Sequence, residues 1–173
     1  DEETYLRWTE FATFSPIMRF HGVTPREPWA YSRYAVSVYK FYAWLRENLL
    51  KYSVHTAEEA HKTGIPMMRP LPMVFPEDKE AVYWEDEYFY GSDLLVAPVH
   101  QEGEKRRIYF PSGSWINLLD FRKMVGGNRI FQVDVPIDKI PVYIREGACI
   151  LSVMNGELQL GQSMTYEKKN TVL

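Results

Sequence analysis

The sequence predicts an α+β chain, with a helical region over about residues 1–69 and a β region over 70–173. Apolar residues recur at helical spacing before Gly64, and short β-rich runs between prolines and glycines follow it. Helices followed by a run of strands read as an α region feeding a separate β unit, with the boundary at about residues 64–71. There is no internal repeat and no low-complexity tract.

Asp1-Glu2-Glu3 runs directly into Tyr5, Leu6, Trp8, Thr9 and Phe11. This reads as a helix to Thr13, entered in mid-protein, with its first-turn acids on the positive end of the helix dipole and Pro16 as its stop. A loop through Arg19–Trp29 follows. Ser32 is placed to cap a second helix, in which Tyr34, Val38, Phe41, Leu45 and Leu49 form an apolar stripe widened by Tyr42 and Trp44. The helix is expected to continue through Thr56 to Lys62 and to stop at Gly64, with Pro66 just beyond. In the second half Leu94–Val99, Arg107–Phe110 and Val142–Ile144 read as strands. Pro111–Ser114 and Gly126–Asn128 read as turns, and Glu157–Leu160 as one more strand before the sequence runs out at Lys168-Lys169-Asn170.

Composition narrows the function. Of 173 residues, 46% are hydrophobic and 25% charged, an ordinary globular balance that supports a core. The aromatic share of 15% favours packed interfaces or carbohydrate-stacking surfaces over a nucleotide site. A net charge of −3 argues against nucleic acid as a partner. The lone cysteine, Cys149, is expected to be a small buried hydrophobe. No apolar run reaches membrane-spanning length and no signal segment opens the chain, so no membrane partner is expected and a cytoplasmic setting is favoured.

The chemistry concentrates in Pro16-Ile17-Met18-Arg19-Phe20-His21-Gly22 and Pro25-Arg26-Glu27-Pro28-Trp29. In an extended segment Arg19 and His21 point to the same side. A guanidinium fork beside an imidazole suits a polyhydroxylated or anionic ligand; an arginine in a local ion pair and a histidine capping a helix is the plainer alternative. His55 and His61 are six apart, wrong for one helix face, and with Glu58 and Glu59 read as solvated surface. Glu85-Asp86-Glu87 lacks the ligand spacing of a calcium loop and reads as a solvated loop or a helix start. No metal site, phosphate cradle, Ser elbow or Cys nucleophile motif stands out.

Several segments occur in an order that goes beyond local chemistry. They are Arg7-Trp8, Phe14-Ser15-Pro16, Met18–Gly22, Arg26–Trp29, Gly64–Pro70, Phe75–Asp78, Tyr88–Val99, Tyr109–Trp115 and Ile140–Ala148. Together, over about residues 3–151, they resemble the family 31 glycoside hydrolases, the retaining α-glucosidases and α-xylosidases. The resemblance implies the C-terminal helical part of a (β/α)8 barrel followed by an antiparallel β-sandwich. Barrel active sites form in the loops after the strands, and the Arg19–His21 loop would be such a loop. It further implies that His21 hydrogen-bonds hydroxyls of the sugar in subsite −1, with Arg19 beside it pairing an acidic residue upstream. No metal or organic cofactor is implied.

The family's two catalytic aspartates have no counterpart here. A retaining glycosidase needs two carboxyl groups roughly 5–5.5 Å apart. Glu10 sits on the opening helix and Asp86 in the other region, so no catalytic residue is assigned within the chain. The expectation is therefore a C-terminal fragment, inactive alone, of an exo-acting enzyme cleaving terminal α-linked glucose or xylose from oligosaccharides, with glucose favoured. Its partners would be the oligosaccharide substrate and the remainder of the catalytic barrel. Without that barrel, exposed apolar surface and association, homo-oligomerisation included, are expected. Two rivals remain: a carbohydrate-binding module using Trp115 or Tyr143 as a platform, and a non-catalytic scaffold.

Overall fold

The structure, a computed structural model, describes residues 1–120 and 123–148. Cys149 and the stretch from Met154 to Leu173, with the strand expected over Glu157–Leu160, lie outside the described residues. Helix α1 spans Glu2–Thr13 and begins at the Asp1 carboxylate, which accepts from the amides of Glu3 (3.2 Å) and Thr4 (3.3 Å). Helix α2 spans Arg33–Asn48 and is capped by Ser32 Oγ, which accepts from Ala35 N at 3.0 Å. Helix α3 spans Leu50–Thr63 and ends at Gly64, whose φ of 77° is the left-handed conformation of a helix C-terminus.

Two expectations need correction. The second helix is not continuous: it breaks at Leu49, between α2 and α3. Asn48 explains this locally, because its side-chain amide donates to the Trp44 carbonyl at 2.7 Å and competes with the main chain for it. The buried stripe of α2 is also rotated from the one expected. Ala35, Val38, Tyr42 and Leu45 are buried, whereas Tyr34 is exposed.

The strands are short: β1 Met68–Pro70, β2 Tyr88–Tyr90, β3 Leu94–Val96, β4 Lys105–Phe110, β5 Ser114–Asn117, β6 Lys123–Val125, β7 Arg129–Asp134 and β8 Val142–Arg145. A single helical turn, α4 Leu71–Val74, follows β1. One antiparallel sheet runs β1-β2-β3-β8-β5-β6, and β4 pairs with β7 in a second. The six-stranded sheet is the middle layer. Leu94, Val96, Val142 and Ile144 pack with Tyr5, Leu6, Val38, Tyr42 and Leu45 of the helices. The alternate residues Leu95 and Tyr143, with Phe89 and Trp115, pack with Ile108, Tyr109 and Phe110 on the other side. β3 is thus buried on both faces, which is why Leu94-Leu95-Val96 reads as an unbroken apolar run.

Polar rivets fix the layers. Arg7 donates from α1 to the carbonyls of Val135 (3.1 Å), Pro136 (3.2 Å) and Lys139 (2.9 Å) in the β7–β8 connection, and to Glu10 at 3.2 Å. Tyr52 Oη of α3 donates to the Tyr90 carbonyl at 2.7 Å and accepts from Asp93 N at 3.1 Å. Gly91, with φ 68°, lies against it; a Cβ there would fall inside the Tyr52 hydroxyl and 2.8 Å from Thr56 Oγ1. Gly91→Ala combines left-handed strain with overpacking and should destabilise the chain by about 2–4 kcal/mol. The denaturant midpoint with unchanged slope checks this, and a shift below about 1 kcal/mol would contradict it.

The acidic residues also differ from expectation. Glu59 is not simply solvated, since it holds the buried Arg69 guanidinium at 2.7 Å. Of Glu85-Asp86-Glu87, only Glu85 is exposed. Asp86 pairs with Arg106 at 2.8 Å, and Glu87 is buried and accepts from Tyr109 N at 2.9 Å. Burial pulls the Asp86 carboxyl upward, but the Arg106 hydrogen bond and charge outweigh it and hold the group below the usual range. Burial pushes both Glu10 and Glu87 from 4.5 up to about 8. Arg7 shares its charge with several carbonyls and only partly offsets this for Glu10, whose Oε1 has no hydrogen bond. A group with a raised folded-state value stabilises below its unfolded value and loses that contribution as pH rises through the folded one. The stability of this chain should therefore fall between about pH 4.5 and pH 8. Glu87→Gln, which keeps the acceptor for Tyr109 N, should flatten that slope in thermal melts; an unchanged slope would contradict the assignment.

Candidate functional site

The loop between α1 and α2 carries the residues singled out by sequence. After Pro16 the chain has no regular secondary structure, and exposure alternates along it: Ile17, Arg19 and His21 are exposed, Met18 and Phe20 half-buried. Thr13 Oγ1 approaches the Met18 sulfur at 3.9 Å. Phe20 stacks on Tyr5 with ring centroids 5.1 Å apart and lies 5.1 Å from Tyr39 of α2. With Met18 and Phe20 turned inward, Arg19 and His21 share the exposed side.

Arg19 Nη2 lies 3.0 Å from His21 Nδ1. A guanidinium has donors only, so Nδ1 must be the acceptor in this contact. The imidazole is then neutral with its proton on Nε2, which leaves an N–H donor at the far end of the ring. Arg26 folds back across this turn: a Cβ on Gly22 would stand 2.8 Å from Arg26 Nε. The loop therefore gathers two guanidinium groups and a donor imidazole, an arrangement suited to hydroxyl or anionic oxygen.

The far end of the loop is tied down. Pro28 is buried and opens a single 3-10 turn over Pro28–Ala30. Tyr31 stacks on Tyr5 at 4.1 Å, and Ser32 Oγ donates to Glu2 Oε1 at 2.6 Å. Trp29, by contrast, is 73% exposed, as is much of Ile17 and Val23. Phe20 and Arg26 belong to the sequence motifs, which on their own give neither residue a task. The period-2 alternation around Arg19 was the available signal for Phe20 as the inward anchor. Nothing local marks Arg26 as folding onto Gly22.

The other chemically suggestive groups are engaged elsewhere. Glu10 is bound to Arg7, and Asp86 is shared between Arg106 and His100 Nδ1 at 3.5 Å. Trp115 is fully buried, its indole N–H donating to the Pro111 carbonyl at 3.2 Å, and Tyr143 is buried against Phe110 at 4.7 Å. Neither aromatic offers an exposed platform. Among the described residues, no helix is long and apolar enough to cross a membrane.

Two family descriptions match the chain: the glycosyl hydrolases family 31 TIM-barrel domain over residues 1–56 and the glycosyl hydrolase family 31 C-terminal domain over residues 64–150. An isomaltosyltransferase from Sporosarcina globispora is 34% identical, the alignment covering 92% of this chain and 16% of that protein. An α-xylosidase from Saccharolobus solfataricus is also 34% identical, with 86% and 20% covered. The chain thus spans about a fifth or less of the length of these curated relatives. Among solved structures, a family 31 α-xylosidase from a soil metagenome, complexed with xylose, superposes with a TM-score of 0.83 at 33% identity, covering 87% of this chain and 26% of that one. A family 31 dextranase from Flavobacterium johnsoniae, complexed with glucose, gives 0.81 at 35% identity, covering 85% and 18%. Helices that end a barrel, an antiparallel β-sandwich packed on them and these matches lead to one conclusion: the chain belongs to glycosyl hydrolase family 31.

Proposed function

We propose that this chain is the C-terminal part of a retaining, exo-acting α-glycosidase that releases terminal α-linked glucose or xylose from oligosaccharides. In this reading residues 1–69 close the catalytic barrel and residues 70–173 form the sandwich domain that follows. The observation that carries it is the Arg19–His21 pair, with Arg19 Nη2 3.0 Å from His21 Nδ1 on an exposed loop. A neutral imidazole with its proton on Nε2 donates to a sugar hydroxyl, while Arg19 keeps enough donors to engage a carboxylate as well. The nucleophile and the acid/base lie upstream in this reading, so residues 1–173 alone are inactive. Burial of Trp115 and Tyr143 speaks against a carbohydrate-binding module built on those rings.

The relatives carry names spanning hydrolysis and glycosyl transfer, α-xylosidase and isomaltosyltransferase among them. Cleavage of the α-glycosidic bond is common to both and is tested directly, by presenting aryl α-glucoside and aryl α-xyloside side by side to the full-length protein that contains this chain. Release of the aryl group from either supports the reading, and the ratio names the sugar; a folded protein that releases neither overturns it. In the same protein His21→Ala should lower kcat/KM by about tenfold to a hundredfold, the loss of about 1.5–3 kcal/mol of hydrogen bonding made in the transition state. Turnover within a few-fold of wild type would remove His21 from the substrate site.

A further inference from the structure

The stretch that launches the Arg19–His21 loop is held from outside it, carbonyl by carbonyl. Arg46, in the last turn of α2, donates through Nη1 to the carbonyls of Ala12 (3.1 Å), Thr13 (2.9 Å) and Ser15 (2.7 Å), and through Nη2 to Pro16 (2.9 Å). The remaining carbonyl, Phe14, accepts from Tyr88 Oη at 3.1 Å. Every main-chain acceptor from Ala12 to Pro16 therefore has a side-chain donor from α2 or from β2.

The end of a helix leaves its last carbonyls without intrahelical partners, and water can usually serve them. Here a planar fork and a phenol serve them instead. A guanidinium is rigid, and several acceptors held by one group define both position and direction of the chain. Phe14, at the centre of the stretch, is fully buried, and the next residues lead through Pro16 into the segment that presents Arg19. A small rotation of the Ser15 or Pro16 peptide would move His21 Nε2 relative to a bound sugar, and hydrogen-bonded catalysis is sensitive to errors of about 1 Å.

We propose that Arg46 and Tyr88 are positioning residues of the sugar site, holding the carbonyls of residues 12–16 so that His21, with Arg19 beside it, meets substrate in one fixed geometry. Tyr88 belongs to the sandwich, so the β region takes a direct part in setting the site. This rests on the reading of His21 as a substrate contact.

Tyr88→Phe, which removes a single hydroxyl, and Arg46→Lys, which keeps the charge but loses the planar fork, test it in the full-length protein. Tyr88→Phe should lower kcat/KM on the aryl glycoside by about three- to tenfold. The amides of residues 17–22 should exchange hydrogen faster, with exchange in α3 unchanged. Arg46→Lys should do both more strongly; if it fails to fold, Tyr88→Phe decides alone. In a His21→Ala background the Tyr88→Phe loss should disappear, because both changes act through one side chain. A loss of equal size with and without His21, or unchanged exchange at residues 17–22, would overturn the proposal. If His21→Ala leaves turnover intact the substrate reading itself fails, and the exchange rates still decide separately whether Arg46 and Tyr88 hold the loop.

Discussion

The six-stranded sheet must be covered on both faces, and most other features follow from that constraint. Leu94 and Val96 turn one way and Leu95 the other, and all three are fully buried; Val142, Ile144 and Tyr143 repeat the pattern on the neighbouring strand. Leaving either face in water would forfeit burial of side chains worth about 1.5–3 kcal/mol each. The helices are therefore part of the same core as the sheet rather than an appendage to it. Within that core Tyr42 and Tyr52 hand their hydroxyls to main-chain carbonyls at Asp138 and Tyr90, so burial costs them no hydrogen bond.

Arginine does much of the remaining registration. Arg7 fastens α1 to the β7–β8 connection, Arg69 fastens the entry to the sheet onto α3, and Arg46 fastens the end of α1 to α2. Arg7 and Arg46 spend donors on carbonyls at or just beyond the ends of elements, where the backbone lacks internal partners, whereas Arg69 reaches α3 through the Glu59 carboxylate and also donates to the Pro66 carbonyl. Arg145 is different, lying over the rings of Phe75, Phe89 and Trp115 at 5.1–5.6 Å. This division explains how a site loop between two helices acquires a fixed conformation while its tip at Val23 stays open to solvent.

Where periodicity and capping dominate, the sequence was a good guide. Ser32 and Gly64 bound helices for reasons contained within a few residues, and the apolar runs at Leu94 and Val142 declare buried strands. Arg19 and His21, two apart, are both exposed and lie 3.0 Å from each other, a proximity that short-range spacing suggests. Interactions between residues far apart in sequence left no such trace. Arg46 meets Pro16 across 30 positions and Tyr88 meets Phe14 across 74. The acidic cluster at Glu85–Glu87 misleads for the same reason, since composition reads as solvated whereas Arg106 and Tyr109, from a distant strand, draw its second and third members inward. The break at Leu49 turned on one side-chain amide reaching back a single turn, a choice that helical periodicity does not register.

The central claim is that the Arg19–His21 pair addresses a sugar with a defined donor. A crystal structure of the full-length protein with its monosaccharide product bound tests it most directly. The account predicts His21 Nε2 within about 2.6–3.2 Å of a sugar hydroxyl while Nδ1 keeps its contact with Arg19. A sugar bound in the barrel with the imidazole turned away, or with Nδ1 facing the ligand and Arg19 released, would contradict it.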